Sequence, residues 1–262
     1  MLQERLSLLM ADFLPTAEYK NMLDMIKTGI EAWELCPCES FYEKMSAYID
    51  RMLKVNEYMN LTTITAPDEI ATKHVLDSLS LIKSGFITDG IKLLDVGTGA
   101  GFPAVPLKLF NPKIDVTFLD SLRKRVNFIS ESLAEINSLD KTHFIHGRAE
   151  DFGAKPQYRQ SFDVVVSRAV ANLSLLAEMC IPFLKPDGIF IAQKGVDCEE
   201  ELNGAKNAIK ELGGQTLKVL DIEIPTFNQV EKVVHRLIII KKIKNTPTKY
   251  PRLNGKIQKN PL

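Results

Sequence analysis

Hydrophobic positions follow two different spacings along the chain. Before about residue 85, apolar side chains recur every three or four residues, as in Phe41, Met45 and Tyr48, which is the spacing of one face of a helix. Pro67, with two carboxylates behind it, is typical of a helix start because proline is tolerated in the first turn. We therefore predict an N-terminal helical extension over residues 1–84.

After Gly90 the pattern changes to short, β-branched apolar runs separated by amphipathic segments, which indicates a parallel sheet covered on both faces. We predict strands at Lys92–Val96, Asp115–Leu119, His143–Gly147, Phe162–Ser167, Gly188–Gln193, Leu217–Ile224 and Val233–Lys241. We predict helices near Pro103–Phe110, Leu122–Asn137, Leu173–Phe183 and Glu199–Leu212. The loop from Pro225 to Glu231 is too short for a parallel crossover, so the last two strands should form an antiparallel hairpin.

These elements predict a doubly wound α/β fold, with a seven-stranded sheet that contains one antiparallel strand. The order resembles that of the Rossmann-like class I methyltransferases. This domain should cover residues 85–244, and a C-terminal tail should follow over residues 245–262.

Composition narrows the class of protein without identifying it. The chain has 262 residues, 45% hydrophobic and 25% charged, and a formal net charge of zero, which is ordinary for a globular protein. The tail is locally basic, because residues 241–262 include seven Lys or Arg and no Asp or Glu.

The first residues lack the apolar run of a signal peptide and no long apolar stretch follows, so we expect a cytoplasmic protein without a membrane span. The four scattered cysteines fit a reducing compartment, and Cys36-Pro37-Cys38 lacks a second ligand pair, so no metal site is predicted.

A glycine-rich turn follows the first predicted strand. Asp95, Gly97, Gly99 and Gly101 stand between that strand and a helix, where glycine permits positive φ and close approach of a bulky ligand. Similar turns serve nicotinamide and flavin enzymes. The spacing here is GxGxG, however, which departs from the GxGxxG fingerprint of dinucleotide-binding proteins.

The ends of the next two strands add polar groups at the same edge of the sheet. Asp120 ends the second strand, 25 positions after Asp95, where a carboxylate can accept hydrogen bonds from ribose hydroxyls. An alternative interpretation, compatible with the first, makes Asp120 the N-cap of the following helix. Gly147–Asp151 ends the third strand, where an adenine ring would meet small side chains. The pattern predicts an adenosine-containing cofactor.

The fourth strand ends in Ser167-Arg168-Ala169, at the position that faces the reacting group in this architecture. The chain has neither the Asn/Asp-Pro-Pro-Tyr/Phe turn of amine methylation nor a nearby Pro-Cys nucleophile. A ring nitrogen with an exposed lone pair, such as guanine N7, needs no deprotonation, so positioning and electrostatics would suffice. Arg168 could orient an electron-rich group, or it could form only a surface ion pair. His74 and Asp77 share a helical face, and a structural role for His74 is favoured over catalysis.

Taken together, these motifs resemble the glucose-inhibited division protein B family (RsmG), the bacterial 16S ribosomal RNA guanine-N7 methyltransferases. The matching pieces are Asn60-Leu61-Thr62, His74-x-x-Asp77-Ser78-Leu79, Asp95–Phe102, Phe118-Leu119-Asp120-Ser121, Arg148-Ala149-Glu150, Ser167-Arg168-Ala169, Gln193-Lys194-Gly195 and Tyr250-Pro251-Arg252. The resemblance implies S-adenosylmethionine as methyl donor, S-adenosylhomocysteine as product, and a guanine in the decoding-region loop of 16S RNA as acceptor. It also implies that Gly97, Phe102, Asp120, Ala149, Glu150 and Arg168 line the cofactor.

The site residues are predicted from the sequence patterns and from the family resemblance together. Cofactor contacts are predicted at Asp95, Gly97, Gly99, Gly101, Phe102, Asp120, Ser121, Leu122, Ala149, Glu150 and Arg168. Arg168 and Arg123 should position the substrate without a general base. RNA phosphate contacts are predicted at Lys194, Lys249, Tyr250, Arg252, Lys256 and Lys259, although a solvated tail with no partner is an alternative. Leu253 and Ile257 stand where the family tail carries Lys and Pro.

Two other classes of protein remain as alternatives. A nicotinamide-dependent oxidoreductase could use the same fold, but no Tyr is followed four residues later by Lys, and the glycine spacing differs. A non-catalytic RNA-binding or ribosome-assembly factor would explain the basic tail. The intact glycine turn and Asp120 favour an enzyme instead. We expect a monomer that acts on 16S rRNA or the small ribosomal subunit.

Overall fold

The computed structural model describes residues 17–168, 171–225, 233–253 and 255–262. Its centre is a seven-stranded sheet with the order β3-β2-β1-β4-β5-β7-β6. The strands are β1 Lys92–Val96, β2 Asp115–Asp120, β3 Thr142–His146, β4 Phe162–Arg168, β5 Leu184–Lys194, β6 Gly214–Ile224 and β7 Val233–Lys242. Strands β1 to β5 are parallel, whereas β7 is antiparallel to both β5 and β6. The predicted seven-stranded sheet with one antiparallel strand is therefore confirmed.

The central strands form because their side chains are apolar on both faces. In β1, Leu94 pairs with Thr117 of β2 and with Val165 of β4. Leu94 and Val165 are fully buried, and so is Phe190 of β5. Continuous burial of this kind is typical of parallel strands that are covered by helices on both sides.

Helices cover the two faces of the sheet. In chain order they are α1 Ala17–Ala32, α2 Phe41–Met59, the helical segment α3 at 67–84, α4 Ala104–Phe110, α5 Arg123–Glu135, α6 Ala149–Gly153, α7 Leu173–Cys180, α8 Glu199–Glu211 and α9 Lys256–Lys259. Segment α3 is composite: it runs from Pro67–Glu69 through a π-helical stretch, Ile70–Leu76, to Asp77–Leu79 and a 3-10 turn, Ser80–Ser84. Helix α7 continues into a 3-10 turn at Ile181–Phe183.

The N-terminal helices pack directly on the sheet domain. Phe41, Met45 and Tyr48 of α2 are fully buried in one hydrophobic cluster with Val105 of α4 and Phe128 of α5. The predicted helical character is confirmed by α1, α2 and α3, which are joined by non-helical segments at 33–40 and 60–66, and residues 1–16 lie outside the described part. The boundary predicted near residue 85 coincides with the change from helices to sheet, but the two segments share a core.

Several element ends differ from the prediction. Strand β5 begins at Leu184, which pairs with Phe162, although the polar run behind it suggested a start at Gly188. Strand β6 begins at Gly214, whose partner is Lys242. Helix α5 is shorter than predicted at both ends, and the two shortest helices, α6 and α9, have too few residues to give a periodic signal. The predicted connecting loop lies outside the described residues, apart from Pro225.

None of the described helices is both long and apolar enough to span a membrane.

Candidate functional site

A cleft of about 170 Å³ opens at the carboxyl ends of β1, β2 and β3. Strand β1 lies between β2 and β4, so this is the point at which the order of the parallel strands reverses, the usual place for a ligand in such sheets. The cleft is lined by Val96, Gly97, Leu119, Asp120, Ser121, Gly147, Arg148, Ala149, Glu150, Ala171, Leu175, Met179, Ile257 and Gln258. We refer to it as the cofactor cleft.

The glycine turn at the end of β1 needs its glycines for two different reasons. Gly99 has φ +57° and open space around it, so only its backbone conformation favours glycine. Gly101 has φ +91°, and a Cβ there would lie 2.4 Å from Tyr48 Oη and 2.6 Å from Val105 Cγ2. The Tyr48 hydroxyl donates a hydrogen bond to the Ala100 carbonyl at 2.9 Å. Helix α2 therefore supports the turn from behind.

Asp120 connects the turn to the cleft. Its carboxylate is almost fully buried and accepts hydrogen bonds from the amides of Gly99 at 3.0 Å and Leu122 at 2.8 Å. A guanidinium nitrogen of Arg125 lies 3.6 Å from it. Leu122 is the N-cap of α5, so the alternative interpretation of Asp120 as that N-cap is wrong. Asp120 instead holds the backbone of the turn while it lines the cleft.

Asp95 is fully buried beneath the same turn. One carboxylate oxygen accepts a hydrogen bond from Thr98 Oγ1 at 2.7 Å, and the other, Oδ1, has no hydrogen-bond partner among the described atoms. Burial raises the pKa of Asp95 to about 7, against the opposing effects of the Thr98 hydrogen bond and the Arg168 charge. A buried acceptor without a donor favours a ligand that brings one.

Apolar side chains complete the cleft. Ala149 and Glu150, at the start of α6, are buried and line it. Leu175 and Met179 of α7 were not predicted, although their separation of four residues places them on one helical face. An apolar slot with carboxylates beside it suits a nucleoside that carries hydroxyl and amino donors, so the residues present fit an adenosine-containing cofactor.

Five of the predicted cofactor residues line the cleft, namely Gly97, Asp120, Ser121, Ala149 and Glu150. Asp95, Gly99, Gly101, Phe102 and Leu122 belong to the surrounding turns without being among the lining residues. Arg168, also predicted there, has its polar contacts in a second group of side chains.

This second group, which we call the polar cluster, consists of His74, Asp77, Arg168, Gln193 and His235. The Arg168 guanidinium donates to the Lys73 carbonyl at 2.7 Å, to Asp77 Oδ2 at 2.8 Å and to His74 Nδ1 at 3.2 Å. The side chain of Arg168 is only 17% exposed, so its ion pair with Asp77 is not a surface pair. Arg168 therefore sits in a fixed orientation at the end of β4.

His74 is held in its neutral form. Arginine can only donate, so His74 Nδ1 must accept, and its Nε2 lies 3.0 Å from Thr62 Oγ1. Burial, followed by the nearby Arg168 charge, lowers the pKa of His74 to about 3. The imidazole also stacks on Phe102, with 4.3 Å between ring centroids. These contacts fit the structural interpretation of His74 and connect the cluster to the glycine turn.

Asp77 is the centre of the cluster. Its second oxygen, Oδ1, accepts hydrogen bonds from His235 Nδ1 and from Gln193 Nε2, the latter at 3.2 Å. The hydrogen bond to Asp77 raises the pKa of His235. No feature of the sequence singled out His235, because it lies 158 positions from Asp77 on the antiparallel strand β7.

The residues predicted to contact RNA fall into two groups that differ in the exposure of their side chains. Arg252 pairs with the buried carboxylate of Glu178 at 2.6 Å, Tyr250 is only 5% exposed, and Lys194 pairs with Glu201 at 2.6 Å. The side chains of these three residues already make contacts within the protein, and their contacts with RNA stay predictions. The exposed cations of the predicted set are Lys249, Lys256 and Lys259, and Arg123 is exposed at the start of α5.

The part of the chain that the structure describes contains no group of three or more His, Cys, Asp or Glu side chains that could hold a metal ion. Cys38 Sγ donates to the Leu109 carbonyl at 3.1 Å, and Cys36 is exposed.

The sheet order, the antiparallel β7 and the cleft at the reversal point define the fold of a class I methyltransferase. The chain belongs to the GidB family, described as rRNA small subunit methyltransferase G, whose family model matches residues 41–230. The family resemblance inferred from the motifs is confirmed. Membership in a methyltransferase family decides against the nicotinamide-dependent oxidoreductase.

Curated relatives match over nearly their whole length. The ribosomal RNA small subunit methyltransferase G of Alkaliphilus oremlandii is 45% identical over 92% of this chain and 99% of that protein. The protein of the same name from Thermoanaerobacter sp. strain X514 is 46% identical over 92% of this chain and 98% of its own. Among solved structures, TrmN from Thermus thermophilus is 17% identical with a TM-score of 0.47, over 63% of this chain and 48% of that chain.

Proposed function

We propose that this protein transfers a methyl group from S-adenosylmethionine to N7 of a guanine in the decoding-region loop of 16S ribosomal RNA. It acts in the cytoplasm, as a monomer, on the RNA or the small ribosomal subunit. The observation that carries the proposal is the cofactor cleft, with Asp120 at the end of β2 beside the glycine turn, in a chain of the GidB family.

The cleft residues account for binding of the cofactor. Asp120 would accept hydrogen bonds from the ribose hydroxyls, because a carboxylate can accept more than the two amide donors that it already has. Leu119 and Ala149 would contact the adenine ring. The bound cofactor supplies an electrophilic methyl group.

The proposed acceptor is consistent with the environment of His74, which leaves this imidazole unavailable as a base. His74 Nδ1 already accepts from Arg168, and its pKa of about 3 leaves it little affinity for a proton. Guanine N7 exposes a lone pair, so the enzyme needs to position the base rather than deprotonate it. Arg168, held by Asp77 and lying with its guanidinium carbon 5.5 Å from the Phe102 ring, would position the base, and the exposed Arg123 would hold the RNA nearby.

A methylation assay tests the proposal. Small-subunit RNA from a bacterial strain that lacks the enzyme is incubated with the purified protein and labelled S-adenosylmethionine, and the modified base is mapped by mass spectrometry. We expect N7-methylguanosine at a single guanine. Incorporation at another atom or base, or no incorporation into either this RNA or purified small subunits from the same strain, would reject the proposed acceptor.

The assigned role of Asp120 can be tested separately. Asp120→Asn should raise the dissociation constant of S-adenosylhomocysteine by about 10-fold to 100-fold, because hydrogen bonds to a charged acceptor are lost. Isothermal titration calorimetry measures the change. Asp115→Asn, at the other end of β2, is the matched control and should bind like the wild type. If both variants bind equally, Asp120 does not contact the cofactor.

A further inference from the structure

The C-terminal tail reaches the cofactor cleft. Ile257 and Gln258, in the short helix α9, line the cleft together with Leu175 and Met179 of α7. Ile257 is only 4% exposed, whereas the neighbouring Lys256 and Lys259 are exposed. One turn of the tail therefore presents an apolar side chain to the cleft and cations to the solvent.

The segment of the tail that leads to α9 is held in place by hydrogen bonds that involve charged side chains. The Arg159 guanidinium donates to the carbonyls of Thr246, Pro247 and Tyr250 at distances of 2.7 to 3.1 Å. These three bonds hold the backbone of the tail against the loop before β4. Tyr250 itself is buried beside α7 and α8, in the same hydrophobic cluster as their apolar side chains.

A second anchor lies closer to the cleft. The backbone amide and the guanidinium of Arg252 both donate to Glu178, at 2.7 Å and 2.6 to 3.1 Å. The Glu178 side chain is 1% exposed and belongs to α7, the helix that supplies Leu175 and Met179 to the cleft. A charge buried this far requires its partner, so the tail is an integral part of this face of the domain. The anchor lies five residues before Ile257, which lines the cleft.

From this arrangement we infer that the tail forms part of the cofactor-binding wall, with Ile257 as an apolar contact for the adenosine part of the cofactor. The inference rests on the proposed function. The ends of β2 and β3 supply Leu119, Ala149 and the carboxylate of Asp120, and helix α7 together with the tail supplies the remaining apolar surface. Removing Ile257 would leave the adenosine part more exposed to water.

The test uses purified full-length protein and S-adenosylhomocysteine in isothermal titration calorimetry. Ile257→Asp should raise the dissociation constant about tenfold or more, because it places a charge where an apolar side chain is buried. Ile257→Leu, which keeps the volume and apolar character, should bind within about threefold of the wild type. Asn260→Asp introduces the same carboxylate at the exposed residue that follows α9 and should also bind like the wild type. Adenosine itself, used as a second ligand, should lose the same factor as S-adenosylhomocysteine in Ile257→Asp.

The outcomes separate this inference from the proposed function. If the wild type binds no S-adenosylhomocysteine, the proposed function fails. If the wild type binds but Ile257→Asp binds equally well or more tightly, the tail is not part of the wall and the proposed function is unaffected. Equal weakening by Asn260→Asp would also overturn the inference, because the effect would then come from charge and not from contact. Unchanged binding of adenosine in Ile257→Asp would overturn the assignment to the adenosine part.

Discussion

The cofactor cleft and the polar cluster are built at the same edge of the sheet, but they treat their polar atoms in opposite ways. At the cleft, Asp120 accepts hydrogen bonds from two backbone amides, and its carboxylate lines the open space. In the cluster, the carboxylate of Asp77 accepts from the side chains of Arg168, Gln193 and His235. The cleft leaves acceptor capacity for a ligand, whereas the charged groups of the cluster pair with one another, and Gln193 Oε1 has no hydrogen-bond partner among the described atoms.

This difference assigns ligand binding to the cofactor cleft and the positioning of Arg168 to the polar cluster. A site that leaves acceptors open binds a ligand through them, and its variants should lose affinity. A cluster that satisfies its own charges fixes one side chain in one orientation, here Arg168, and its variants should lose stability. Asp95 links the two regions, since the Arg168 charge lowers its pKa and the Asp120 charge raises it.

The largest effect should come from breaking the cluster at its centre. Asp77→Asn removes the charge that pairs with Arg168 and places an amide where three side chains donate. We expect the free energy of unfolding to fall by about 3–5 kcal/mol, the usual cost of leaving one buried charge unpaired. Urea denaturation followed by circular dichroism measures it.

Asp89→Asn is the matched control for Asp77→Asn. Asp89 pairs with Lys113 at 2.6 Å, but both side chains are more than half exposed, so the same substitution should cost much less stability than Asp77→Asn. Similar losses in the two variants would show that the cluster is no more tightly coupled than a surface ion pair.

The same comparison explains what the sequence could predict. The glycine turn and Asp120 follow consecutive strands, so their meeting at one edge follows from the parallel order of β1 and β2. The antiparallel β7 follows from the short loop before it. His235 and Ile257 reach their sites through distant parts of the chain, and neither lies in a local pattern that indicates its partner. The ion pair of Arg252 with the buried Glu178 could not be predicted either, because the two residues are 74 positions apart in the sequence.

A smaller effect should distinguish two glycines of the turn. Gly101→Ala combines an unfavourable positive φ with a Cβ 2.4 Å from the Tyr48 hydroxyl, and should lower the free energy of unfolding by about 2–4 kcal/mol. Gly99→Ala has the unfavourable φ but open space, and should cost about 1–2 kcal/mol. Thermal and urea unfolding of both variants measure the difference. Equal losses would mean that Tyr48 moves aside easily and does not support the turn.

The smallest expected effect is a change of stability with pH that arises from a histidine of the polar cluster. The pKa of His235 is raised in the folded protein by its hydrogen bond to Asp77, against the opposing charges of Arg168 and Lys73. The stabilisation is therefore complete below the unfolded pKa of about 6.5 and is lost as the pH rises through the raised value. His74 behaves in the opposite way: its pKa of about 3 means that stability is lost as the pH falls below about 6.5.

Comparing the wild type with His235→Gln across about pH 6 to 9 isolates the effect of His235, because His74 is common to both proteins. We expect the stability difference between them to shrink as the pH rises, and no longer to shrink when both carry Asp77→Asn, because burial and the charges of Arg168 and Lys73 then lower the pKa of His235. A difference that grows with pH would mean that His235 is neutral in the folded protein and that Asp77 holds Arg168 without it.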